Sequence, residues 1–375
     1  MTELGIVIPA RNEAGYIGAT LDTLFAQIEL DGCTSVPAES YEVVVVENAS
    51  TDATTDVVLA KKHEAGRAVT VLHRGEASAV AARAAGVRHL LSSADPPRFL
   101  VSADADTRYP RTWLAWLTSH LRLGAELVTC PGYMDAELWR QCPRATAAYI
   151  ERIGTIFFDP ETRQHLGTDE NRALLSEQVY LDFGRPANAA GFAITTECYE
   201  RLGGFRREHF DEAGTEEILI AALPLQFRAE LAGLRVVQPR GPWWSTSPRR
   251  LVGEPDVQFG RTFQRNEMEQ YRSTALAAYE RFDAIVSTSD LRDLQLNCVR
   301  DYIVTPCITR PGLVEPHRDT YFGAAAADLE TSIVKWRSAH PDPEPREIFD
   351  VATRLAERHA DQTLEVLARR AGLTQ

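Results

Sequence analysis

Two aspartates one residue apart, Asp104 and Asp106, are the side chains whose spacing most directly indicates chemistry. They follow an apolar run at residues 98–102 (RFLVS), a pattern typical of a buried strand. In an extended segment, residues two apart project to the same face, so both carboxylates are expected to point toward one spot. Two like charges so close favour a cation, and Mg²⁺ or Mn²⁺ binds carboxylate and phosphate oxygens together. The pair indicates a metal-bridged diphosphate, although D-x-D also occurs in turns and on solvated faces.

Polar residues also follow the other predicted strands, at the sheet edge where ligands bind in open parallel sheets. The first strand ends in residues 9–13 (PARNE), which lack the glycine-rich turn of a dinucleotide site and argue against a nicotinamide enzyme. The second strand ends in Glu47 and Asn48, an acid and an amide suited to hydrogen-bonding a base or a ribose. For Ser50 and Asp52, just beyond, plain helix capping is the favoured interpretation.

A pair of arginines, Arg249 and Arg250, closes a segment rich in hydroxyl side chains at residues 243–250 (WWSTSPRR). Guanidinium groups offer paired donors that fit phosphate, and neighbouring hydroxyls add more, although surface arginines need no such explanation. Trp243 and Trp244 could stack on a sugar ring, but packing in a core between domains is favoured.

The elements that must position these residues begin with alternating apolar runs and helical patterns over the first 130 residues. This alternation predicts repeated strand–helix units and a mostly parallel sheet. The predicted strands span residues 4–8, 41–46, 68–72, 98–102, 125–130, 191–194 and 235–238. A helix is predicted from Ser78 to about Leu91, and another from about Thr215, interrupted by Pro224. Residues 131–185 show no clean period and are expected to face substrate, whereas residues beyond about 263 are predicted to be helical.

Composition is that of an ordinary globular protein, since 44% hydrophobic and 25% charged residues exclude disordered, collagenous and low-complexity chains. The net charge of −13 disfavours a nucleic-acid partner. No apolar run approaches the roughly 18 residues of a membrane-spanning helix, and the N-terminus lacks signal-peptide features. The six cysteines have no C-x-x-C spacing and are predicted to be reduced thiols. A cytoplasmic protein without a transmembrane segment is expected.

Residues 4–240 resemble a family 2 glycosyltransferase of the GT-A fold. Residues 6–13 (IVIPARNE) resemble the opening strand and its P-x-x-N-E turn, and residues 45–52 (VVENASTD) resemble the acidic V-D-D-G-S-T-D segment. Residues 75–86 resemble the helix that carries a basic residue, here Arg83, and residues 102–107 (SADADT) resemble the metal-binding D-x-D. The turn at residues 203–205 (GGF), followed by Glu216 and Glu217, resembles the G-G-F and E-D motifs.

The resemblance implies an α/β protein of the nucleotide-diphospho-sugar transferase type. Its mostly parallel, Rossmann-like sheet would be flanked by helices and followed by a C-terminal helical extension. The catalytic domain would span residues 1–260, with a nucleotide-binding half at 1–130 and an acceptor-binding half at 131–260. Residues 261–375 would form the extension, whose apolar stripes favour packing on the catalytic domain or on a second copy in a homodimer.

Roles for single residues also follow from the resemblance. It implies a nucleotide pocket lined by Pro9, Ala10, Arg11, Glu13 and Glu47. Arg83 would approach the diphosphate or help to hold the D-x-D loop. Asp106 would be the main metal ligand, with Asp104 beside it and nearer the ribose or the sugar. Some relatives fold an S-x-R-R segment over the diphosphate, which implies the same for Arg249 and Arg250.

The second residue of the family's E-D pair is the general base, which implies that role for Glu217. Glu216 would then orient the acceptor or the base. Two departures from the family pattern stand out: a glutamate replaces aspartate at 217, and Asn48 replaces an acid. Asp211 and Glu212 are close enough in sequence to be rival bases.

The expected function is inverting sugar transfer, with Mn²⁺ or Mg²⁺, from a nucleotide-diphosphate donor to a hydroxyl or amine. The acceptor would be a small molecule, a protein or a carrier-linked group; Asn188 and His209 could touch it, but a structural role is favoured for both. Nucleotidyl transfer is an alternative, disfavoured because the first strand lacks a following G-x-G-x-R loop. A non-catalytic nucleotide-sugar-binding protein is another, disfavoured because the D-x-D and the glutamate pair are both present.

Overall fold

The computed structural model describes residues 2–75, 78–135, 178–210, 214, 218, 221–239, 241–247, 296 and 298–370. The chain divides into two compact units. The first unit comprises Met1–Gly132 and Pro186–Thr246, and the second comprises Tyr133–Arg185 and Ser247–Gln375. The domain boundary expected at residue 260 lies outside the described residues and, like the one at 130, stays a prediction.

The strands of the described residues are β1 (Leu4–Ala10), β2 (Tyr41–Asn48), β3 (Val69–Arg74), β4 (Phe99–Ala103), β5 (Thr107–Arg108), β6 (Leu127–Thr129), β7 (Gly132–Met134), β8 (Gly191–Thr195), β9 (Val236–Val237) and β10 (Trp244–Thr246). Seven of these described strands form one sheet in the order β3-β2-β1-β4-β8-β6-β9, and β5, β10 and β7 form a small second sheet. Neighbours in the large sheet are parallel except β8, which is antiparallel to both β4 and β6. The predicted mostly parallel sheet is confirmed.

Helices cover both faces of the large sheet. Those described in the first unit are α1 (Ile17–Phe25), α2 (Thr54–Ala65), α3 (Ala79–Leu91), α4 (Trp113–Arg122), α5 (Thr196–Arg201) and α6 (Ala222–Leu231). Alternate residues of β2 point to opposite faces, so Val43 and Val45 join one buried cluster while Val44 and Val46 join another. This is why four consecutive valines are tolerated in one strand.

The strand order places the ligand-binding edge of the sheet. After β1 the chain builds outward through β2 and β3, and it then returns to the other side of β1 as β4. Both neighbours are parallel to β1, so the segments that follow β1, β2 and β4 leave the same edge. Ligands of open α/β sheets bind where the strand order reverses in this way, which here is between β1 and β4.

The described residues of the second unit are mainly helical, with α7 (Thr305–Thr309), α8 (Ala326–Ala339) and α9 (Pro345–Arg370). Within this unit the Tyr321 hydroxyl donates to Asp182 Oδ2 at 2.7 Å, and Arg310 donates to the Phe183 carbonyl. None of the helices described combines the length and apolar character needed to cross a membrane.

Pro224 does not interrupt a helix in the described residues. Helix α6 begins at Ala222, which places Pro224 in its first turn, where a missing N–H costs no intrahelical hydrogen bond. The expected start near Thr215 lies outside the described residues.

Close packing of α3 on the sheet depends on Gly86. A Cβ atom at this position would lie 2.5 Å from Cγ1 of Val7 and 3.0 Å from Cγ2 of Val46. Gly86→Ala should therefore lower the free energy of unfolding by about 1–3 kcal/mol through overpacking, despite the better helix propensity of alanine.

Gly18→Ala in α1 is the matched control, because its added Cβ would meet Val57 at an ordinary 3.4 Å. We expect it to stabilise by roughly 0.5–1 kcal/mol. Urea unfolding of both variants measures the difference, and a Gly86→Ala protein as stable as the wild type would contradict the tight contact.

Candidate active site

The loops that follow β1 and β2 are joined by reciprocal hydrogen bonds. Asn12, with a φ of 56°, donates its N–H to Ser50 Oγ at 3.1 Å. Its side-chain oxygen accepts from the Thr51 N–H at 2.8 Å. Asparagine tolerates the left-handed conformation better than most residues, which suits it to this position. The two loops therefore form one connected rim beside the ends of β1 and β2.

Two further bonds extend this connection. The Glu13 N–H donates to Thr54 Oγ1 at 2.8 Å, and the Ala14 N–H donates to Asp52 Oδ2 at 3.1 Å. The other oxygen of Asp52 accepts from the Thr54 N–H at 3.0 Å. The residue that precedes α2 is Ala53, and it provides no side-chain cap. The expectation of plain helix capping is wrong for Ser50, whose hydroxyl accepts from the loop after β1 and not from α2. Asp52 does accept from the first N–H of α2, but its other oxygen also ties that helix to the loop after β1.

Glu47 is charged and held in place at the end of β2. Its carboxylate accepts from the Ser50 N–H and lies 3.2 Å from Nδ1 of His73. Burial raises the pKa of Glu47, but the hydrogen bonds from Ser50 and His73 outweigh it, so the pKa is lowered. His73 was missed by sequence reasoning, although the parallel register of β2 and β3 places it directly beside Glu47.

Arg83 lies buried in α3 and binds the D-x-D turn from inside. Its Nη2 forms an ion pair with Asp104, and its Nε donates to Ser102 Oγ at 3.0 Å. A buried guanidinium needs such partners, because an unpaired buried charge is strongly unfavourable. Of the two roles expected for Arg83, holding the D-x-D loop is the one that these contacts support.

The segment that carries Asp104 and Asp106 is a turn. Strand β4 ends at Ala103, and β5 begins at Thr107, so the extended conformation expected for the two aspartates is wrong. The two carboxylates have different partners: Asp104 pairs with Arg83, whereas Asp106 Oδ1 lies 3.3 Å from the Thr246 hydroxyl on β10. Their directions are therefore set by the turn and not by strand alternation.

These two acids fit a cation that takes its other ligands from a substrate. Within the described residues, no group of three or more His, Cys, Asp or Glu side chains is placed to hold a metal by itself. One of the two carboxylates is already paired with Arg83, so the described acids would need further ligands to hold an ion. Mg²⁺ commonly binds in this way, through one or two carboxylates together with phosphate oxygens.

The Gly203-Gly204-Phe205 turn follows α5, the helix that comes directly after β8. Gly203 and Gly204 have φ values of 73° and 65°, a conformation that favours glycine, and they end α5. Arg228 of α6 donates to the Gly204 carbonyl at 2.6 Å and pairs with Glu208. The turn and the start of the following segment are thereby fixed to α6.

Several predicted site residues lie outside the described residues: Asp211, Glu212, Glu216, Glu217, Arg249 and Arg250. Their roles stay predictions. Pro9 and Ala10 are the last two residues of β1, the first partly buried and the second buried. Just beyond the strand, Arg11 is exposed and Glu13 is buried. Ala10 is level with Glu47 in the register.

Trp244 and Asn188, two of the residues for which a structural role is favoured, both make structural contacts, but packing of the tryptophans in a core between domains stays a prediction. Trp244 is buried in the core of the first unit, where its Nε1 donates to the Cys130 carbonyl at 3.1 Å. Asn188 accepts from the Ala190 N–H at 2.9 Å and so shapes the turn before β8. Burial raises the pKa of the Cys130 thiol to about 12, in keeping with a reduced structural cysteine.

Comparison with known proteins identifies the class. The model of the family described as glycosyl transferase family 2 matches residues 5–210, more than half of the chain. The chain belongs to glycosyl transferase family 2, and its sheet with flanking helices is of the expected GT-A type. The protein is thus a glycosyltransferase, as predicted. A comparison with curated proteins finds no match.

Solved structures show weaker likenesses. A mannosyltransferase from Pyrobaculum calidifontis, PcManGT, in complex with GDP-Man and Mn²⁺, is 17% identical with a TM-score of 0.48, over 96% of this chain and 87% of that one. S. aureus TarS 1–349 in complex with UDP-GlcNAc is 13% identical with a TM-score of 0.46, over 99% of this chain and 92% of that one. The family assignment rests on the sequence match and not on these values.

The Asp52 link between the two loops should be pH-dependent. Burial raises the pKa of Asp52, but hydrogen bonds from Thr54 and Ala14 outweigh it and lower the pKa. A carboxylate whose pKa is lowered by folding stabilises the fold at pH values above its pKa in the unfolded chain, which is about 4. This contribution is lost as the pH falls through the pKa of the folded state.

Asp52→Asn should therefore melt below the wild type at pH 7, and this difference should shrink as the pH falls below about 4. Thermal unfolding at several pH values tests this, with Asp56→Asn in the exposed first turn of α2 as the charge-matched control. A difference between Asp52→Asn and wild type that stays constant down to pH 2 would contradict the link.

Proposed function

We propose that this protein is a metal-dependent, inverting glycosyltransferase that moves a sugar from a nucleotide-diphosphate donor to an acceptor hydroxyl or amine. The observation that carries the proposal is the Arg83–Asp104 ion pair, which fixes the D-x-D turn at the carboxyl end of β4 in a family 2 chain. This is the sheet edge at which a phosphorylated ligand would meet the loops after β1 and β2.

The nucleoside would lie over the ends of β1 and β2. Its pocket would be lined by Pro9, Ala10, Arg11, Glu13 and Glu47. Two features support this placement: the loops on either side are already joined through Asn12, and Glu47 is kept ionised as a hydrogen-bond acceptor. Asn48 adds a buried side-chain oxygen that has no hydrogen-bond partner among the described residues.

The diphosphate and the cation would bind beside Asp106. Since the Asp104 carboxylate is paired with Arg83, Asp106 is the better main ligand for Mn²⁺ or Mg²⁺, with Asp104 nearer the ribose or the sugar. The bound ion would offset the negative charge that grows on the leaving diphosphate. Arg249 and Arg250 would add guanidinium donors to the same phosphates.

Glu217 would act as the general base. It would take the proton from the acceptor while the acceptor oxygen or nitrogen bonds to the anomeric carbon, opposite the breaking bond to the diphosphate. Attack from that side inverts the anomeric centre, and such proton transfer typically contributes about a hundred- to ten-thousandfold to the rate. Glu216 would orient the acceptor or the base itself. The G-G-F turn supports this assignment because it precedes the glutamates in the chain and is itself held by Arg228 of α6 through the Gly204 carbonyl.

The acceptor class, the cytoplasmic location and a homodimer through the C-terminal helices stay predictions. The acceptor would be a small molecule, a protein or a carrier-linked group.

A panel of nucleotide sugars tests the function directly. Thermal shift with and without Mn²⁺ should identify a donor that stabilises the protein mainly with the metal present. A labelled form of that donor then separates sugar transfer from pyrophosphate release and from binding alone. Asp106→Ala should abolish donor turnover, and Asp95→Ala, an equal charge loss on the exposed segment before β4, should not. Undiminished turnover in Asp106→Ala, or activity insensitive to chelators, would overturn the metal assignment.

Glu217→Gln tests the base. The amide keeps the size and polarity of the side chain but cannot take a proton, so transfer should fall by about two to four orders of magnitude. Calorimetry should show unchanged nucleotide binding, and Glu200→Gln on the exposed end of α5 is the control. Retained transfer in Glu217→Gln would place the base elsewhere, with Asp211 and Glu212 next to be tested.

A further inference from the structure

Two buried hydroxyl groups, those of Tyr109 and Ser102, contribute to holding the D-x-D turn. The Tyr109 hydroxyl accepts from the Asp104 N–H at 2.9 Å and donates to the Ala190 carbonyl at 2.8 Å. Its ring, 4% exposed, stacks on Trp113 with ring centroids 4.0 Å apart. The phenol therefore connects the backbone of the turn to the residue just before β8.

Ser102 makes a parallel connection. Its hydroxyl accepts from Arg83 Nε at 3.0 Å and donates to the Ala189 carbonyl at 2.6 Å. Arg83 in turn holds the Asp104 carboxylate. Asp104 is thus held at its N–H by Tyr109 and at its side chain by Arg83, which Ser102 supports. The two connections lead to the carbonyls of the consecutive residues Ala189 and Ala190.

We propose that Tyr109 and Ser102 are positioning residues that hold the Asp104–Asp106 turn against the start of β8, so that Asp106 is presented to the cation in one conformation. This inference rests on the proposed function. It extends that function by assigning the arrangement of the metal-binding turn to residues that do not themselves touch metal or donor.

The chemistry of the phenol suits this role. A hydroxyl that accepts from one group and donates to another must stay neutral, and burial, with Asp104 nearby, raises the pKa of Tyr109 well above its ordinary value. Without the hydroxyl, the Asp104 N–H and the Ala190 carbonyl would each lose a partner beside the buried Tyr109 ring. Leaving buried groups unsatisfied is costly, so the turn would seek other conformations.

Tyr41 offers a matched control for loss of a buried phenol. It is 3% exposed, and its hydroxyl donates to the Leu24 carbonyl at 3.0 Å. Tyr41 is the first residue of β2, so it lies at the edge of the sheet opposite the D-x-D turn. Tyr41→Phe should lower stability by a similar mechanism without touching the site.

Three measurements on the full chain compare Tyr109→Phe with Tyr41→Phe: thermal unfolding, hydrogen exchange of residues 104–108, and calorimetric binding of UDP and of GDP with Mn²⁺. In Tyr109→Phe we expect exchange in residues 104–108 to rise about tenfold and Mn²⁺-dependent nucleotide binding to weaken about tenfold, the change that one lost hydrogen bond produces. Tyr41→Phe should leave both unchanged at a comparable loss of melting temperature. Ser102→Ala should act like Tyr109→Phe, and it serves as the test if that variant fails to fold.

Unchanged exchange in residues 104–108 would overturn the proposal, as would equal weakening of binding in Tyr109→Phe and Tyr41→Phe. A wild-type protein that binds neither nucleotide with Mn²⁺ would instead count against the proposed function. In that case the exchange data still decide whether Tyr109 and Ser102 hold the turn.

Discussion

The buried ion pair between Arg83 and Asp104 is the interaction on which the rest of the candidate site depends. A guanidinium inside a protein must be paired and hydrogen-bonded, and Arg83 meets this requirement through Asp104 and Ser102. The pair is within reach because α3 lies close to the sheet, and that approach requires Gly86, which is three residues from Arg83 on the same helical face. Gly86 thereby allows the guanidinium of Arg83 to reach the D-x-D turn, and the ion pair with Asp104 holds the turn in position.

Because Asp104 is paired with the buried guanidinium of Arg83, the two aspartates of the D-x-D turn have different roles. Asp104 becomes part of the scaffold, while Asp106 meets the Thr246 hydroxyl of the small second sheet. The same division occurs after β1 and β2. There the two loops are joined by hydrogen bonds of Asn12, Ser50 and Asp52, and the carboxylate of Glu47 beside them stays ionised. Rigid connections thus surround a few acidic groups that are suited to a ligand.

These connections also explain which sequence-based expectations were wrong. Ser50 and Asp52 have the residue types and positions of helix caps, and local rules assign them that role. In the fold the loop after β1 offers further backbone donors at the same place. Ser50 bonds to that loop and not to the helix, and Asp52 bonds to both. The prediction that Asp104 and Asp106 lie in an extended segment was wrong for a similar reason. The turn is held by Arg83, which is distant in sequence, and by Tyr109, which follows it, and the local pattern at residues 98–106 shows neither contact.

The amino-acid sequence sufficed to predict the seven strands of the large sheet, their alternation with helices and the family, whereas the short strands β5, β7 and β10 were not predicted. Apolar runs such as the four valines of β2, and the order of the motifs, are properties of the chain that need no knowledge of contacts. Tertiary structure alone decided that His73 lies beside Glu47, that Arg83 binds Asp104, and that Ser102 and Tyr109 reach Ala189 and Ala190. Each of these contacts joins segments that are separate along the chain, so it exists only once the strand order has brought those segments together. Hydrogen bonds are short-ranged and directional, and no local pattern can specify a partner some eighty residues away.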